Sequence, residues 1–205
     1  MAIKKKDFVE LEFTGKIKES GQIFDTTKDE DAKKMGAENV KPLKICIGDG
    51  MVVKGFDDAL IGKEIGKPYS IEIPPSLAFG PRDSKLIKIV PISMFIEKQV
   101  NPYPGLVLNI DGILARVSSV SGGRVTTDFN LPLAGKTIIY DFKIKRIIED
   151  KEEKLKTLAE FYLGTEDVRI EGNKADIILE KKLESKAFKE KAKDLTGFDV
   201  EFKVK

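Results

Sequence analysis

The chain has 205 residues, of which 41% are hydrophobic and 34% charged, with a formal net charge of +2. That length suits two or three domains, and the near balance of charge argues against nucleic acid as the main partner. Histidine is absent and Cys46 is the only cysteine, which excludes a Ser-His-Asp triad, a Cys-His pair, an imidazole metal site and an intrachain disulfide. No run approaches the ~18 apolar residues of a membrane span. The start, Met1 to Asp7, is basic but has no apolar segment behind it, so a signal peptide is not expected and a cytoplasmic location is the default. Lysine and glutamate are abundant and glutamine is confined to Gln22 and Gln99, a balance seen in heat-adapted proteins.

Val9, Leu11 and Phe13 alternate with Glu10 and Glu12, so residues 8–14 read as a half-buried strand. A turn at Glu19 to Gln22 leads into a strand at Ile23-Phe24. Residues 27–39 are polar and charged and read as a loop that can hold one helical turn. Leu43, Ile45 and Ile47 form a second alternating strand, with Cys46 packed inside it, ending at Gly48-Asp49-Gly50. Met51 to Ile61 suits a short helix, on which Asp57 and Asp58 read as a solvated face. Tyr69, Ile71 and Ile73 form another strand, stopped by Pro74-Pro75. Ile138, Tyr140, Phe142 and Ile144 mark the longest alternating strand.

Between Ser84 and Asn130 lies a stretch too long for an ordinary loop. Leu106, Leu108 and Ile110 alternate, Asp111-Gly112 turns, and Ala115, Val117 and Val120 follow. Ser121-Gly122-Gly123 turns again before Val125. This reads as a compact β unit inserted into the first domain. Ahead of it, Met94 and Phe95 are either ordinary core or part of an adaptable binding surface, since Met and aromatic side chains suit varied partners. Beyond Glu149 a helix carries Leu155, Leu158, Ala159 and Tyr162 on one face. A hairpin through Ile170 and Ile177, a helix through Phe188 and Ala192, and a strand from Phe198 to Val204 complete an α-β-β-α-β unit.

Several strings resemble the FKBP family of peptidyl-prolyl cis/trans isomerases. They are Phe13-Thr14-Gly15, Gly21-Gln22-Ile23-Phe24-Asp25, Val52-Val53-Lys54-Gly55-Phe56, Ala78-Phe79-Gly80 and Ile139-Tyr140-Asp141-Phe142. Phe129-Asn130 to Leu133-Ala134-Gly135 is similar to the return point of the SlyD-like branch, which carries an insert-in-flap domain here. The C-terminal extension resembles that of the long archaeal members. The resemblance implies an α+β fold, with a bent antiparallel β-sheet wrapping a short helix. It implies an isomerase domain at 1–84 and 130–150, an insert-in-flap chaperone domain at 85–129, and a small α+β domain at 151–205. It also implies a pocket of Phe13, Phe24, Asp25, Leu43, Met51, Val52, Val53, Phe56, Phe79 and Tyr140. Phe56 would be its floor, and a backbone N–H at Val52 or Val53 would meet the substrate carbonyl. Phe13 and Phe79 stand where many members have Tyr, which removes a hydroxyl donor at each place.

A greasy site nearly free of acid–base groups, with one carboxylate at its edge, suits a reaction that breaks no covalent bond. Rotation about Xaa-Pro is such a reaction, and it needs no cofactor or metal. The expected partners are unfolded or partly folded proteins with Xaa-Pro bonds, held by Ile89, Met94, Phe95 and Leu106 of the insert. A homodimer through 151–205 is a further expectation, because the alternating last strand would expose a hydrogen-bonding edge. The competing reading is a non-enzymatic holdase with a vestigial isomerase pocket. Gly48-Asp49-Gly50 lacks the spacing of a nucleotide loop.

Overall fold

The computed structural model describes residues 2–110 and 112–205. Along the chain run β1 (Phe8–Ile17), β2 (Ile23–Thr26), α1 (Asp29–Lys34), β3 (Leu43–Cys46), α2 (Lys54–Leu60), β4 (Pro68–Ile73), β5 (Ile87–Pro91) and α3 (Ile92–Glu97). Then come β6 (Val107–Ile110), β7 (Ile113–Ser121), β8 (Arg124–Asp128), β9 (Ile138–Ile148), α4 (Lys151–Leu163), β10 (Val168–Glu171), β11 (Lys174–Leu179), α5 (Lys186–Thr196) and β12 (Asp199–Val204). The chain divides into two compact units, one running to Ala78 and resuming with Thr137–Lys205, the other Phe79–Lys136.

The larger unit is built on an antiparallel sheet in the order β2-β1-β9-β4, with β3 paired to the other end of β1. The central pair is β1 with β9, in register from Phe8↔Ile148 to Ile17↔Ile138. That pairing carries β1 three residues past the expected end at Thr14. A bulge between Glu10 and Leu11 bends the pair, because an unmatched residue kinks its strand and increases local twist. Leu11 and Phe13 alternate inward as expected, yet Phe8 and Val9 are both fully buried. The reason is that α4 packs against β3 beside them, so this end of the sheet is covered on both faces.

Residues 151–205 follow the α-β-β-α-β order and form a second sheet, β10-β11-β12. In it β12 lies parallel to β11 and at the edge. Asp150 caps α4 by accepting from the Glu153 N–H at 2.7 Å, which satisfies one of the orphan donors of the first turn. Of the expected buried face, Leu155, Leu158 and Ala159 are buried, whereas Tyr162 is 38% exposed.

The smaller unit is a four-stranded sheet, β5-β8-β7-β6. Its core is Phe95, Val117 and Val125, with Val90, Leu106 and Leu108 packed against it. It is not purely β: Pro91 ends β5 and is the N-cap of α3, where its fixed φ of −58° leads the chain into the helix. The ends of the unit are stitched together. Arg82 pairs with Asp128 at 2.6 Å, and Asn130 Oδ1 accepts the Asp83 N–H at 2.8 Å. The Asp111 half of the expected Asp111-Gly112 turn lies outside the described residues.

Other expectations are corrected. The helix begins at Lys54, not Met51, and Val53 is its N-cap in a non-helical conformation. The strand before it stops at Cys46. Residues 29–34 hold a short helix, α1, with acidic residues in its first turn and Lys33 and Lys34 in its last, which complements the helix dipole.

One charge network joins α4 to the sheet. Glu153 receives two hydrogen bonds from Arg146, at 2.9 and 2.6 Å, and one from Lys44 at 2.8 Å. Arg146 also pairs with Glu10 at 2.7 Å. Arg146 first, then Lys44, hold the Glu153 carboxyl down at about 2. A carboxylate depressed in this way stabilises the fold above its unfolded value and loses that contribution as pH falls through the folded one. Glu153→Gln should therefore cost about 1–2 kcal/mol at neutral pH, reduced by solvent around the half-exposed guanidinium. The gap between wild type and variant should close as pH falls from about 4.5 to about 2, followed by chemical denaturation at each pH. A gap that stays constant across that window would show that the ion pairs do not secure α4.

Candidate functional site

The site grows from the alternation of β1 and β9. Phe13 lies opposite Phe142, and Gly15 opposite Tyr140, so two aromatic residues of β9 share the face that Phe13 presents. On the other side of β1, Gly15 is paired with Asp25 of β2. A Cβ on Gly15 would lie 2.7 Å from the Phe24 ring and 2.9 Å from the Tyr140 ring. Glycine at that point lets the two rings close over the strand, and they meet edge to face at 5.9 Å.

Helix α2 crosses this face and lays Phe56 onto it. The Phe56 and Tyr140 rings are parallel within 2° at 4.3 Å. Phe142 meets Phe56 edge-on at 5.2 Å, and Phe13 lies 5.9 Å from Phe56 and 5.7 Å from Tyr140. Phe56 is 1% exposed and lies at the centre of this ring cluster. The approach depends on Gly55, whose added Cβ would sit 2.3 Å from Ile73 Cγ2 and 3.1 Å from the Leu77 carbonyl oxygen.

Half-buried Phe24, Val52 and Val53 and exposed Asp25 line the rim, and Met51 is buried beneath it. Among the described residues, no acceptor takes the backbone N–H of Val52 or Val53. Leu43 is half-buried opposite Leu11 and lines a groove of about 520 Å³ beside Phe161 of α4. Phe79 is half-buried and opens the smaller unit.

The electrostatics are sparse. Partial burial raises the Asp25 carboxyl above its ordinary value, opposed by a hydrogen bond from the Thr26 backbone. Burial pushes the Tyr140 phenol up to about 12, and the nearby Asp25 charge adds to it. Burial likewise takes the Cys46 thiol up to about 12, so it stays protonated and unreactive. Among the described residues no three acidic, Cys or His side chains gather to hold a metal ion. The arrangement offers the half-buried Phe24 as apolar surface over a buried ring cluster, and it can donate from the backbone at its edge. Asp25 is the carboxylate at its edge, and the Tyr140 phenol beside it stays protonated.

In the smaller unit, Ile89 and Met94 are 65% and 52% exposed, whereas Phe95 is buried in its core and Leu106 packs against that core. The expected solvated face of α2 is also corrected. Asp58 is exposed, but Asp57 is 7% exposed and accepts backbone N–H groups of Gly48 and Gly50. Period-2 alternation already carried Phe142 as a companion of Tyr140. The roles of Gly15, Gly55 and Asp57 left no such signal, because each depends on a partner distant in sequence.

The sequence model of FKBP-type peptidyl-prolyl cis-trans isomerases matches residues 1–96, and that of the FKBP26 IF domain matches residues 88–133. The chain is 32% identical over 149 residues to a short-type peptidyl-prolyl cis-trans isomerase of Methanocaldococcus jannaschii, covering 71% of this chain and 94% of that protein. It is 31% identical to the FKBP-type isomerase SlyD of Helicobacter pylori, over 56% of this chain and 64% of that one. A probable FKBP-type 16 kDa isomerase of Pseudomonas fluorescens is 30% identical, over 62% and 79%.

The close seat of α2 yields a test. Ala favours a helix over Gly by up to about 1 kcal/mol, but overpacking costs about 1–3 kcal/mol. Gly55→Ala should therefore lower the melting temperature despite its better propensity. An unchanged or raised Tm would mean that α2 is not held by that approach.

Proposed function

Because the chain belongs to the FKBP-type peptidyl-prolyl cis-trans isomerases, it is a prolyl isomerase, and we propose that the ring cluster of Phe13, Phe24, Phe56 and Tyr140 is where it turns Xaa-Pro bonds. Uncatalysed rotation faces about 18–20 kcal/mol, because amide resonance must be lost. The planar amide is charge-separated and water stabilises it. A dry aromatic seat for the proline ring favours the twisted, less polar amide. The unpartnered N–H groups of Val52 and Val53 can hold the substrate carbonyl while the bond turns. The observation that carries this reading is the floor itself: Phe56 flat on Tyr140, capped by a half-buried Phe24, with Asp25 as the carboxylate at its edge.

Two variants test it. Phe56→Ala removes a fully buried ring and costs about 3–5 kcal/mol of stability, so a lower rate there is ambiguous. Phe24→Ala acts at the rim; it should cut kcat/KM for a proline peptide by about tenfold or more, roughly 1.4 kcal/mol of transition-state stabilisation, with a small change in Tm. The wild-type rate should be flat between about pH 6 and 8, since Tyr140 stays protonated and no proton moves. A bell-shaped profile, or full activity in Phe24→Ala, would overturn the assignment.

The smaller unit serves to hold unfolded clients near the isomerase. Among the described residues, nine of the seventeen exposed large apolar side chains fall in Phe79–Lys136, although it is much the shorter unit. A groove of about 630 Å³ there is lined by Val107, Leu114, Leu131 and Pro132 with Arg82 and Arg116. Apolar surface gathered in this way marks a site for other chains. Replacing Ile89 and Met94 by Ser should slow refolding of a proline-limited protein while peptide isomerisation persists. Equal losses in both assays would remove the client-holding role.

A further inference from the structure

The turn Gly48-Asp49-Gly50 joins β3 to the residues that precede α2, and both of its glycines have left-handed φ, 84° and 71°. Two parts of the molecule grip it from different sides. From within, the buried Asp57 carboxylate accepts the Gly48 N–H at 2.8 Å and the Gly50 N–H at 3.3 Å. Asp57 neighbours Phe56, so one helix carries both the proposed floor and the group that holds the turn. The next residue, Met51, is tied as well, its Sδ accepting the Cys46 N–H at 3.2 Å.

The other grip comes from residues 151–205. The Tyr162 hydroxyl of α4 donates to Asp49 Oδ2 at 2.7 Å. The Lys191 ammonium of α5 donates to Asp49 Oδ1 at 2.7 Å and to the Tyr162 oxygen at 2.9 Å. Lys191 also stands 4.5 Å above the Tyr162 ring. The Asp49 side chain is 16% exposed and that of Lys191 33%, against 65% and 61% for the Lys6–Asp194 pair. Sheltered charges are screened less than exposed ones, so this clamp is the firmer of the two. It draws on two separate helices, and it forms only when both are packed.

We infer that Tyr162 and Lys191 are positioning residues for isomerisation: through Asp49 they set the path of Met51, Val52 and Val53, and so let the C-terminal segment tune turnover in a pocket it does not line. This rests on the reading of Val52, Val53 and Phe56 as the site. Asp49 is only three residues from Val52, and Asp57 fixes the inner side of the turn. A release of Asp49 therefore has little slack in which to dissipate before it reaches the rim.

A clamp that merely docked the segment would act like any other docking contact. Glu153→Gln loosens the same segment elsewhere and leaves the turn untouched, which separates the two cases. In the full-length chain, kcat and KM would be measured with a proline peptide for Tyr162→Phe, Lys191→Met, Lys191→Arg and Glu153→Gln. Tyr162→Phe and Lys191→Met should each lower kcat by about fivefold with KM little changed, and Lys191→Arg should recover most of the loss. Glu153→Gln should lower Tm and leave kcat as it was. Wild-type kcat in both clamp variants, or an equal loss in Glu153→Gln, would overturn the inference. Should Lys191→Met not fold, the amide NMR shifts of Gly48, Gly50, Val52 and Val53 in Tyr162→Phe decide: movement supports positioning and unmoved peaks overturn it. An inactive wild type would instead overturn the assigned pocket, and the same amide shifts would still decide the positioning.

Discussion

The flat contact between Phe56 and Tyr140 is the constraint on which the rest of the larger unit depends. Two rings can lie parallel at 4.3 Å only if the backbone carrying one comes close to the sheet carrying the other. Gly55 permits that approach on the helix side, and Gly15 clears the strand so that Phe24 and Tyr140 can meet. Aromatic pairs of this kind contribute about 0.5–1.5 kcal/mol beyond their buried area. The larger effect is geometric, since one stack fixes the height of α2 and with it the floor and rim of the site.

The same unit separates two uses of carboxylates. Asp57 is buried and fully engaged with backbone N–H groups, so its charge shapes the entry to α2. Asp25 remains at the rim, where burial disfavours its charged form and no cation among the described residues pairs with it. A site that must stay dry can tolerate one such group at its edge. The proposed rotation needs no proton relay, which is consistent with a chain that contains no histidine.

The smaller unit distributes its apolar residues differently. Phe95, Val117 and Val125 close a small core, and Ile89, Met94, Leu114 and Leu131 are left outside. A unit of this size buries proportionally little surface, so exposed apolar side chains are partly a consequence of scale. Their concentration on one unit, beside a groove with two arginines, is what supports the proposed client-holding role against that background.

Period-2 alternation in residues 8–14 and 138–147 was enough to mark β1 and β9, because a strand half buried against a core writes its faces into neighbouring positions. The strings around Phe24, Val52-Val53 and Phe79 likewise marked the family. Asp57 reads from sequence as a surface charge, and only the fold shows it turned inward to the Gly48-Gly50 turn. Phe95 and Met94 are adjacent and alike in composition, yet packing against Val117 and Val125 takes one inside and leaves the other in solvent. The grip of Tyr162 and Lys191 on Asp49 spans more than a hundred residues of chain. Local pattern determined the elements because it reflects which face of a strand or helix meets apolar surroundings. Burial of individual charges, close glycine approaches and contacts between segments were decided by the tertiary structure, because they depend on partners that no local spacing specifies.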